Sequence, residues 1–215
     1  MTYPDDFLNK VIQGDCLEVM KQIPDKCIDL CLCDPPYGIG GDKGAGHYGR
    51  TAQRKYNDNW DTETPSQEVF NEILRISKQA IIFGGNFFTD KLPVGTHWIV
   101  WDKVGNIEFN NPFSDCELAW TNIKRKSVKK YTVIQQGFIA AEKTRYHPTQ
   151  KPVSVFGQII RDYIEENQII FDPFLGSGTT AVACKMLKRN FIGIEISKKY
   201  CEIARERLRM CNPML

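Results

Sequence analysis

A strand, a glycine-rich turn, a helix, a second strand and an acidic residue follow one another near the end of this sequence. Residues 168–171 have an apolar strand pattern, and the turn D-P-F-L-G-S-G-T-T occupies residues 172–180. A helical stripe follows, and an apolar strand at residues 191–194 leads into Glu195. This order predicts one nucleotide-binding half of a doubly wound α/β sheet, in which both strands lie parallel and the helix crosses between them.

The turn and the acid predict how a nucleotide would bind to this unit. Glycines let a ligand approach the backbone, the amino end of the helix favours an anionic group, and Glu195 can accept hydrogen bonds from both ribose hydroxyls. The stretch G-S-G-T-T-A also satisfies the loose dinucleotide-binding pattern. Taken alone, this unit leaves an NAD(P)-dependent oxidoreductase open.

A second strand pattern ends in a short motif with its own chemistry. Apolar residues from Ile28 to Cys33 predict a buried strand, which Pro35 must end because proline cannot donate to a ladder. Asp34 then lies at the carboxyl end of a strand, where open α/β sheets bind their ligands. Its carboxylate and the neighbouring proline carbonyl can accept hydrogen bonds from an NH₂ group, while Tyr37 stacks on the flat ring that carries the amine. The simpler alternative is a Pro-Pro turn with a solvent-facing aspartate.

Composition restricts the remaining choices. A chain of 215 residues with a net charge of +2 fits one globular domain, and any nucleic-acid surface must come from local clustering of charge. No apolar run approaches the roughly 20 residues of a membrane span, and the first residues lack a signal peptide pattern. Eight cysteines without a C-x-x-C pair predict buried free thiols in a reducing cytoplasm, and three scattered histidines predict no metal site.

Further strands are predicted at residues 10–13, 79–83, 97–102 and 117–122. Asp15 follows the first of them, where it could meet a ligand amine or cap the next helix, and the cap is the simpler interpretation. Residues 38–61 hold six glycines and show no periodicity, which predicts a long mobile loop beside Asp34. The basic residues of this loop are Lys43, Arg50, Arg54 and Lys55.

A basic segment lies within residues 103–146. Residues 124–145 contain seven basic residues and one acid, with aromatic residues among them. Such a run is often only a solvated face, but this concentration of charge is also what phosphate binding requires. The candidate DNA contacts here are Lys124, Arg125, Lys126, Lys129 and Lys130.

Together these motifs resemble the permuted β class of S-adenosylmethionine-dependent DNA amino-methyltransferases. In that family D-P-P-Y comes first, and H-P-T-Q-K-P then precedes F-x-G-x-G; here they occupy residues 34–37, 147–152 and 174–178. The resemblance covers residues 11–208, and the three motifs in this order are far more specific than any one alone. It implies a Rossmann-like, mostly parallel sheet of seven strands, one of them reversed, with helices on both faces.

The resemblance also assigns roles to residues. Asp15 would contact the adenine of S-adenosylmethionine, Glu195 its ribose, and the glycine turn its methionine part, with His147 and Lys151 near its carboxylate or ribose. The full set assigned to the cofactor is Asp15, His147, Lys151, Asp172, Pro173, Phe174, Gly176, Ser177, Gly178, Thr179 and Glu195. The catalytic set, which would receive a flipped base from double-stranded DNA, is Asp34, Pro35, Pro36 and Tyr37.

Two questions stay open at this point. The first is the target base: an aspartate before Pro-Pro-Tyr usually accompanies adenine N6 methylation in the family, and cytosine N4 is the alternative. A non-catalytic DNA-binding protein is a more remote interpretation, because Asp34 and the glycines are present. Many relatives also insert a large target-recognition region, whereas only about 45 residues separate Trp101 from His147 here. This small insertion predicts recognition of a short site or help from a second subunit in a homodimer. A cognate restriction endonuclease is a further possible partner of a protein of this family.

Overall fold

The architecture is that of a computed structural model, which describes residues 2–40, 61–108, 114–136, 139–140, 146 and 149–212. The first half of the chain contains β1 (Lys10–Gln13), α1 (Cys16–Met20), β2 (Ile28–Cys33), α2 (Gln67–Ile76), β3 (Ser77–Phe83), a 3₁₀ turn (Gly85–Phe87), β4 (Trp98–Asp102) and β5 (Cys116–Thr121). The second half contains β6 (Val128–Thr132), β7 (Gln135–Gln136), β8 (Ile139–Ala140), α3 (Val153–Tyr163), β9 (Ile169–Asp172), α4 (Thr179–Met186), β10 (Asn190–Glu195) and α5 (Lys198–Met210).

The main sheet has the order β1-β10-β9-β2-β3-β5-β4-β6 in the described residues, and β7 pairs with β8 in a separate ribbon. Every neighbouring pair in the main sheet is parallel except the two that β5 makes with β3 and β4. The prediction of a Rossmann-like sheet with one reversed strand is therefore confirmed, and its predicted strands reappear with ends shifted by no more than two residues.

The sheet contains one strand more than the seven expected, because β6 forms within the basic segment. Only Tyr131 of its five residues is buried, and two of the others are lysines. An edge strand with one buried side chain has no clear apolar alternation, so its sequence pattern shows charge rather than strand periodicity.

Helices cover both faces of the sheet, and β2 contributes to the core on each side. Leu30 and Leu32 pack with α3, α4 and α5, whereas Cys31 and Cys33 pack with α1 and α2. A strand covered on both faces reads as a continuous apolar run, as the sequence does here. All eight cysteines are free, and four of them (Cys31, Cys33, Cys184 and Cys201) are buried, as predicted.

Parallel pairing brings four acids to one edge of the sheet. Asp15, Asp34, Asp172 and Glu195 lie at the carboxyl ends of β1, β2, β9 and β10, which are neighbours in the sheet. Because β5 runs the other way, its first residues lie at this same edge. Within the described part of the chain, no helix is long and apolar enough to cross a membrane.

Candidate active site

Asp34 receives a hydrogen bond on each of its carboxylate oxygens. The Tyr37 hydroxyl donates to Oδ1 at 2.6 Å, and the Lys151 ammonium donates to Oδ2 at 2.6 Å. Lys151 Nζ also lies 3.3 Å from the Tyr37 hydroxyl oxygen, so the three side chains close a ring. Pro35, directly after Asp34, is buried and directs the chain away from the sheet.

Lys151 is buried between two carboxylates. Its side chain is only 6% exposed, and its Nζ lies 3.1 Å from Glu117 Oε2 on the reversed strand β5. Lys103 Nζ donates to the other oxygen of Glu117 at 3.3 Å. Charges therefore alternate along the row Asp34, Lys151, Glu117, Lys103.

Sequence reasoning did not identify Glu117 or Lys103 as members of this site. The available signal was an acid inside the otherwise apolar strand C-E-L-A-W-T. A buried carboxylate needs a cationic partner, but the sequence does not say which one.

Burial and the neighbouring charges act against each other on the ionisation of these groups. Burial raises the pKa of Asp34, although Lys151 and the Tyr37 hydroxyl act in the opposite direction. Burial would also raise the pKa of Glu117, but Lys151 and Lys103 overcome it and lower that pKa. Although burial alone would lower the pKa of Lys151, Asp34 and Glu117 raise it, so this side chain is an ammonium at neutral pH.

The ring of Tyr37 is held by aromatic neighbours that follow β3. Phe87 stacks on it with ring centroids 4.9 Å apart and planes 18° apart, and Phe88 meets it edge-on at 6.1 Å. Gly84 lies so close that a Cβ there would be 2.1 Å from the ring. Phe87 remains 40% exposed, so the stack faces solvent on its outer side.

The glycine turn after β9 is fixed by two acids. Asp172 accepts hydrogen bonds from the Phe174 amide at 2.9 Å and from the Thr180 hydroxyl at 2.5 Å. Glu195 accepts hydrogen bonds from the amides of Gly176 at 2.8 Å and Ser197 at 2.7 Å. Burial raises the pKa of Asp172 to about 7 and also raises the pKa of Glu195.

The two glycines of the turn differ in their surroundings. Both have positive φ, +54° at Gly176 and +90° at Gly178. A Cβ on Gly178 would lie 2.8 Å from the Cβ of Ala204 in α5, whereas a Cβ on Gly176 would meet nothing closer than the Phe174 carbonyl at 3.9 Å. The glycine that packs tightly is therefore Gly178, against a helix, and Gly176 borders open space.

The H-P-T-Q-K-P segment joins the turn to the Asp34 site. Thr179 donates to the Lys151 carbonyl at 3.2 Å, and the Gln150 side-chain oxygen lies 3.2 Å from the Ser177 hydroxyl. The Lys151 side chain points to Asp34, and its expected place near the cofactor's carboxylate or ribose stays a prediction. His147 lies outside the described residues.

Asp15 caps α1, as the simpler interpretation predicted. Its Oδ1 accepts hydrogen bonds from the amides of Leu17 at 2.9 Å and Glu18 at 3.2 Å. The amide of Gly14 donates to the Glu195 carbonyl at 3.1 Å, so Asp15 lies beside the end of β10. A contact with a nucleotide base at that edge remains a prediction.

The five candidate DNA contacts of the 103–146 segment lie in two places. The connection between the end of β5 and the start of β6 contains Lys124, Arg125 and Lys126. The strand registers put the end of β5 and the start of β6 at the edge of the sheet opposite Asp34. The other two are ion-paired: Lys129 with Asp162 at 3.2 Å and Lys130 with Asp102 at 3.1 Å. This distribution does not support a contact between Lys124, Arg125 or Lys126 and DNA close to the target base, because β5 carries the chain away from that edge.

The long segment after Tyr37 begins and ends beside the site. The amide of Gly38 donates to Asp61 Oδ1 at 2.8 Å, and the amide of Gly40 donates to the Asp61 carbonyl at 3.0 Å. Asp61 is buried. Lys43, Arg50, Arg54 and Lys55 themselves lie outside the described residues.

The fold and the acids at adjoining strand ends are those of a Rossmann-like α/β protein, a class that binds its ligands at the carboxyl ends of the strands. A sequence model of the N6/N4-type DNA methylase family matches residues 90–206, and the chain belongs to this family. Over 256 residues it is 29% identical to the type II methyltransferase M.HinfI of Haemophilus influenzae, covering 97% of this chain and 70% of that relative.

Solved structures agree with this assignment. The complex of M1.HpyAVI with SAM superposes with a TM-score of 0.60 at 25% identity, covering 93% of this chain and 98% of that one. The cytosine-N4-specific PvuII DNA methyltransferase shares the fold, with a TM-score of 0.61 at 16% identity over 94% of this chain and 88% of that one. The protein is thus a DNA amino-methyltransferase of N6 or N4 type, and S-adenosylmethionine is its cofactor.

The described residues fit such a cofactor. Open space borders Gly176 where the backbone turns, so a ligand can approach the main chain there. The same edge carries Asp15, Asp172 and Glu195, and these acids suit a cofactor that carries a positive sulfonium and a ribose. The turn and the Asp34 ring lie side by side because β9 and β2 are paired.

Alanine at the two glycines of the turn should separate ligand binding from folding. Gly176→Ala should weaken S-adenosylmethionine binding by roughly tenfold or more, with a loss of only about 1–2 kcal/mol in unfolding free energy for the left-handed backbone. Gly178→Ala should lower the unfolding free energy by a further ~1–3 kcal/mol, because its methyl group collides with Ala204. Titration calorimetry and urea unfolding measure the two effects, and unchanged cofactor affinity in Gly176→Ala would contradict this placement of the ligand.

Proposed function

We propose that the protein methylates the N6 amine of adenine in double-stranded DNA, with Asp34, Pro35, Pro36 and Tyr37 receiving the flipped base. The observation that carries this proposal is the position of Asp34. It follows β2 at the carboxyl edge, and β2 pairs with the strand that leads into the glycine turn. The acceptor for the amine and the turn for the cofactor therefore lie next to each other.

The site residues would act on the amine through orientation. The exocyclic amine is a poor nucleophile because its lone pair is delocalised into the ring. The Asp34 carboxylate and the Pro35 carbonyl can each accept a hydrogen bond from one of its two N–H groups, which directs the lone pair out of the ring plane. When bound, S-adenosylmethionine supplies a methyl group on a sulfonium, which is an excellent leaving group. Much of the acceleration would come from holding the two reactants about 3–3.5 Å apart.

The target base must leave the helix to reach Asp34, because its amine is paired inside a duplex. Extrusion costs roughly a few kcal/mol, and stacking on an aromatic ring returns about 1–3 kcal/mol per base. Tyr37 is the ring proposed for this contact. Phe87 stacks on Tyr37 and keeps its plane fixed, so the pair would act as a preformed platform.

Adenine is favoured over cytosine because, in this family, an aspartate before Pro-Pro-Tyr usually accompanies adenine N6 methylation. A carboxylate makes a stronger, charge-assisted hydrogen bond than the hydroxyl that more often precedes Pro-Pro-Tyr in enzymes acting on cytosine N4. Lys151 also supports an ionised Asp34. Cytosine N4 is the alternative product, since both amines are planar and carry two N–H bonds.

Asp34→Ala should abolish methyl transfer and leave S-adenosylmethionine binding nearly intact, because the cofactor would contact the glycine turn and not this carboxylate. Transfer of labelled methyl groups to DNA measures the first, and calorimetry measures the second. Turnover above about a tenth of the wild-type rate would be too high for an essential acceptor, given the ~10²-fold cost of misplacing a reacting group.

The identity of the base can be read from the product. DNA methylated by the protein, digested to nucleosides and resolved by mass spectrometry, should contain N6-methyladenine. N4-methylcytosine without N6-methyladenine would show that the choice of base is wrong, while the role of Asp34 would stand because either amine can donate to it.

Two sets of alanine variants should locate the phosphate contacts. Replacing Lys43, Arg50, Arg54 and Lys55 should weaken DNA binding and flatten its salt dependence, by up to about 0.9 per lost contact in log–log slope. The matched control replaces Lys124, Arg125 and Lys126 at the opposite edge and should leave the slope unchanged. A flatter slope only in the control would place the duplex on the other edge of the sheet.

A further inference from the structure

We propose that Lys151 and Glu117 are positioning residues of the methyl-transfer reaction: Lys151 fixes the Asp34 carboxylate in one orientation and in its ionised form, and Glu117 holds the Lys151 ammonium in place. The inference rests on the proposed function of Asp34 as the acceptor for the target amine. It concerns a lysine whose side chain points away from the glycine turn and a glutamate that no sequence motif identifies.

A closed ring of side chains surrounds Asp34. Tyr37 donates to one carboxylate oxygen and Lys151 to the other, and Lys151 also lies 3.3 Å from the Tyr37 hydroxyl oxygen. Rotation of the carboxyl group would break both of its hydrogen bonds. Each oxygen of an ionised carboxylate has a second acceptor site, so the ring fixes the group and still leaves it able to accept an N–H from a base.

Glu117 supplies a third oxygen beside the Lys151 ammonium. Lys151 has three N–H donors, and its Nζ lies 2.6, 3.1 and 3.3 Å from oxygens of Asp34, Glu117 and Tyr37. The contacts with Asp34 and Tyr37 are hydrogen bonds and the contact with Glu117 Oε2 is an ion pair, and together they restrict a flexible lysine. Glu117 is held from behind by Lys103 at 3.3 Å, so it in turn holds the ammonium in place.

Lys151 also affects the charge of Asp34. A buried carboxyl group favours its neutral form, which accepts a weaker hydrogen bond from the target amine than the carboxylate does. Lys151 opposes this effect, whereas Glu117, as a second anion, adds to it. The other ionisable groups that interact with Asp34 are Tyr37, Cys33 and the buried Asp172 of β9, so Lys151 is the one cation among those described.

These opposing effects give the two positioning residues opposite signatures in a pH profile. Loss of Lys151 removes the cation, which raises the pKa of Asp34 and moves the acid limb of the rate to higher pH. Loss of the Glu117 charge removes a repelling anion, which lowers that pKa and moves the acid limb to lower pH. A side chain that only supported the fold would move neither limb.

The experiment measures single-turnover methylation rates of full-length protein with saturating DNA and S-adenosylmethionine from about pH 5 to 9. Lys151→Met should shift the acid limb to higher pH and slow the reaction roughly tenfold or more near pH 7. Glu117→Gln, which keeps an oxygen facing Lys151, should shift it to lower pH. Glu166→Gln is the matched control, since this exposed carboxylate pairs with Arg189 at the edge of the sheet opposite Asp34, and it should leave the profile unchanged.

Unmoved limbs in both variants, or limbs that move in the same direction, would overturn the inference. If Lys151→Met does not fold, Glu117→Gln decides alone, and an unmoved or upward limb counts against the proposal. Asp34→Ala separates this result from the proposed function. An active Asp34→Ala protein overturns that function, whereas an inactive one with unmoved limbs in the other variants overturns only the role of Lys151 and Glu117.

Discussion

The parallel pairing of β2 with β9 is the constraint on which the site depends. Leu30 and Cys31 are in register with Ile170 and Phe171, although these residues are separated by most of the chain. Because both strands run in the same direction, Asp34 and Asp172 emerge at one edge, and the turns that follow them lie side by side. An antiparallel pairing would have placed the proposed acceptor and the glycine turn at opposite edges.

The ionised lysine at position 151 shows how the motifs depend on each other. Its backbone carbonyl accepts from Thr179 at the start of α4, and its side chain donates to Asp34 after β2. One residue thus connects the H-P-T-Q-K-P segment, the glycine turn and the D-P-P-Y motif. Burying such a cation is costly unless anions surround it, and Asp34 and Glu117 are both within ion-pair distance.

Much of the sheet was predictable because its signals are local. Proline cannot donate to a sheet ladder, so Pro35 marks the end of β2. Apolar runs of four to six residues between turn residues indicate buried strands. These rules placed β1, β3, β4, β5, β9 and β10 within two residues of their observed ends. They did not recognise β6, because an edge strand with lysines at two of its five positions buries too little to leave an apolar pattern.

The sequence by itself determined the fold class, the order of the three motifs and the strand ends at which Asp15, Asp34, Asp172 and Glu195 lie, since each follows from residues close together in the chain. Only the tertiary structure decided which side chains contact each other in the site. The reversal of β5 brings Glu117 to Lys151 and takes Lys124, Arg125 and Lys126 to the far edge. Position 178 requires glycine because α5 packs against it, and the Ala204 methyl group leaves no room for a side chain there. These contacts join residues from distant parts of the chain, and periodicity carries no information about which distant side chain will fill a given space.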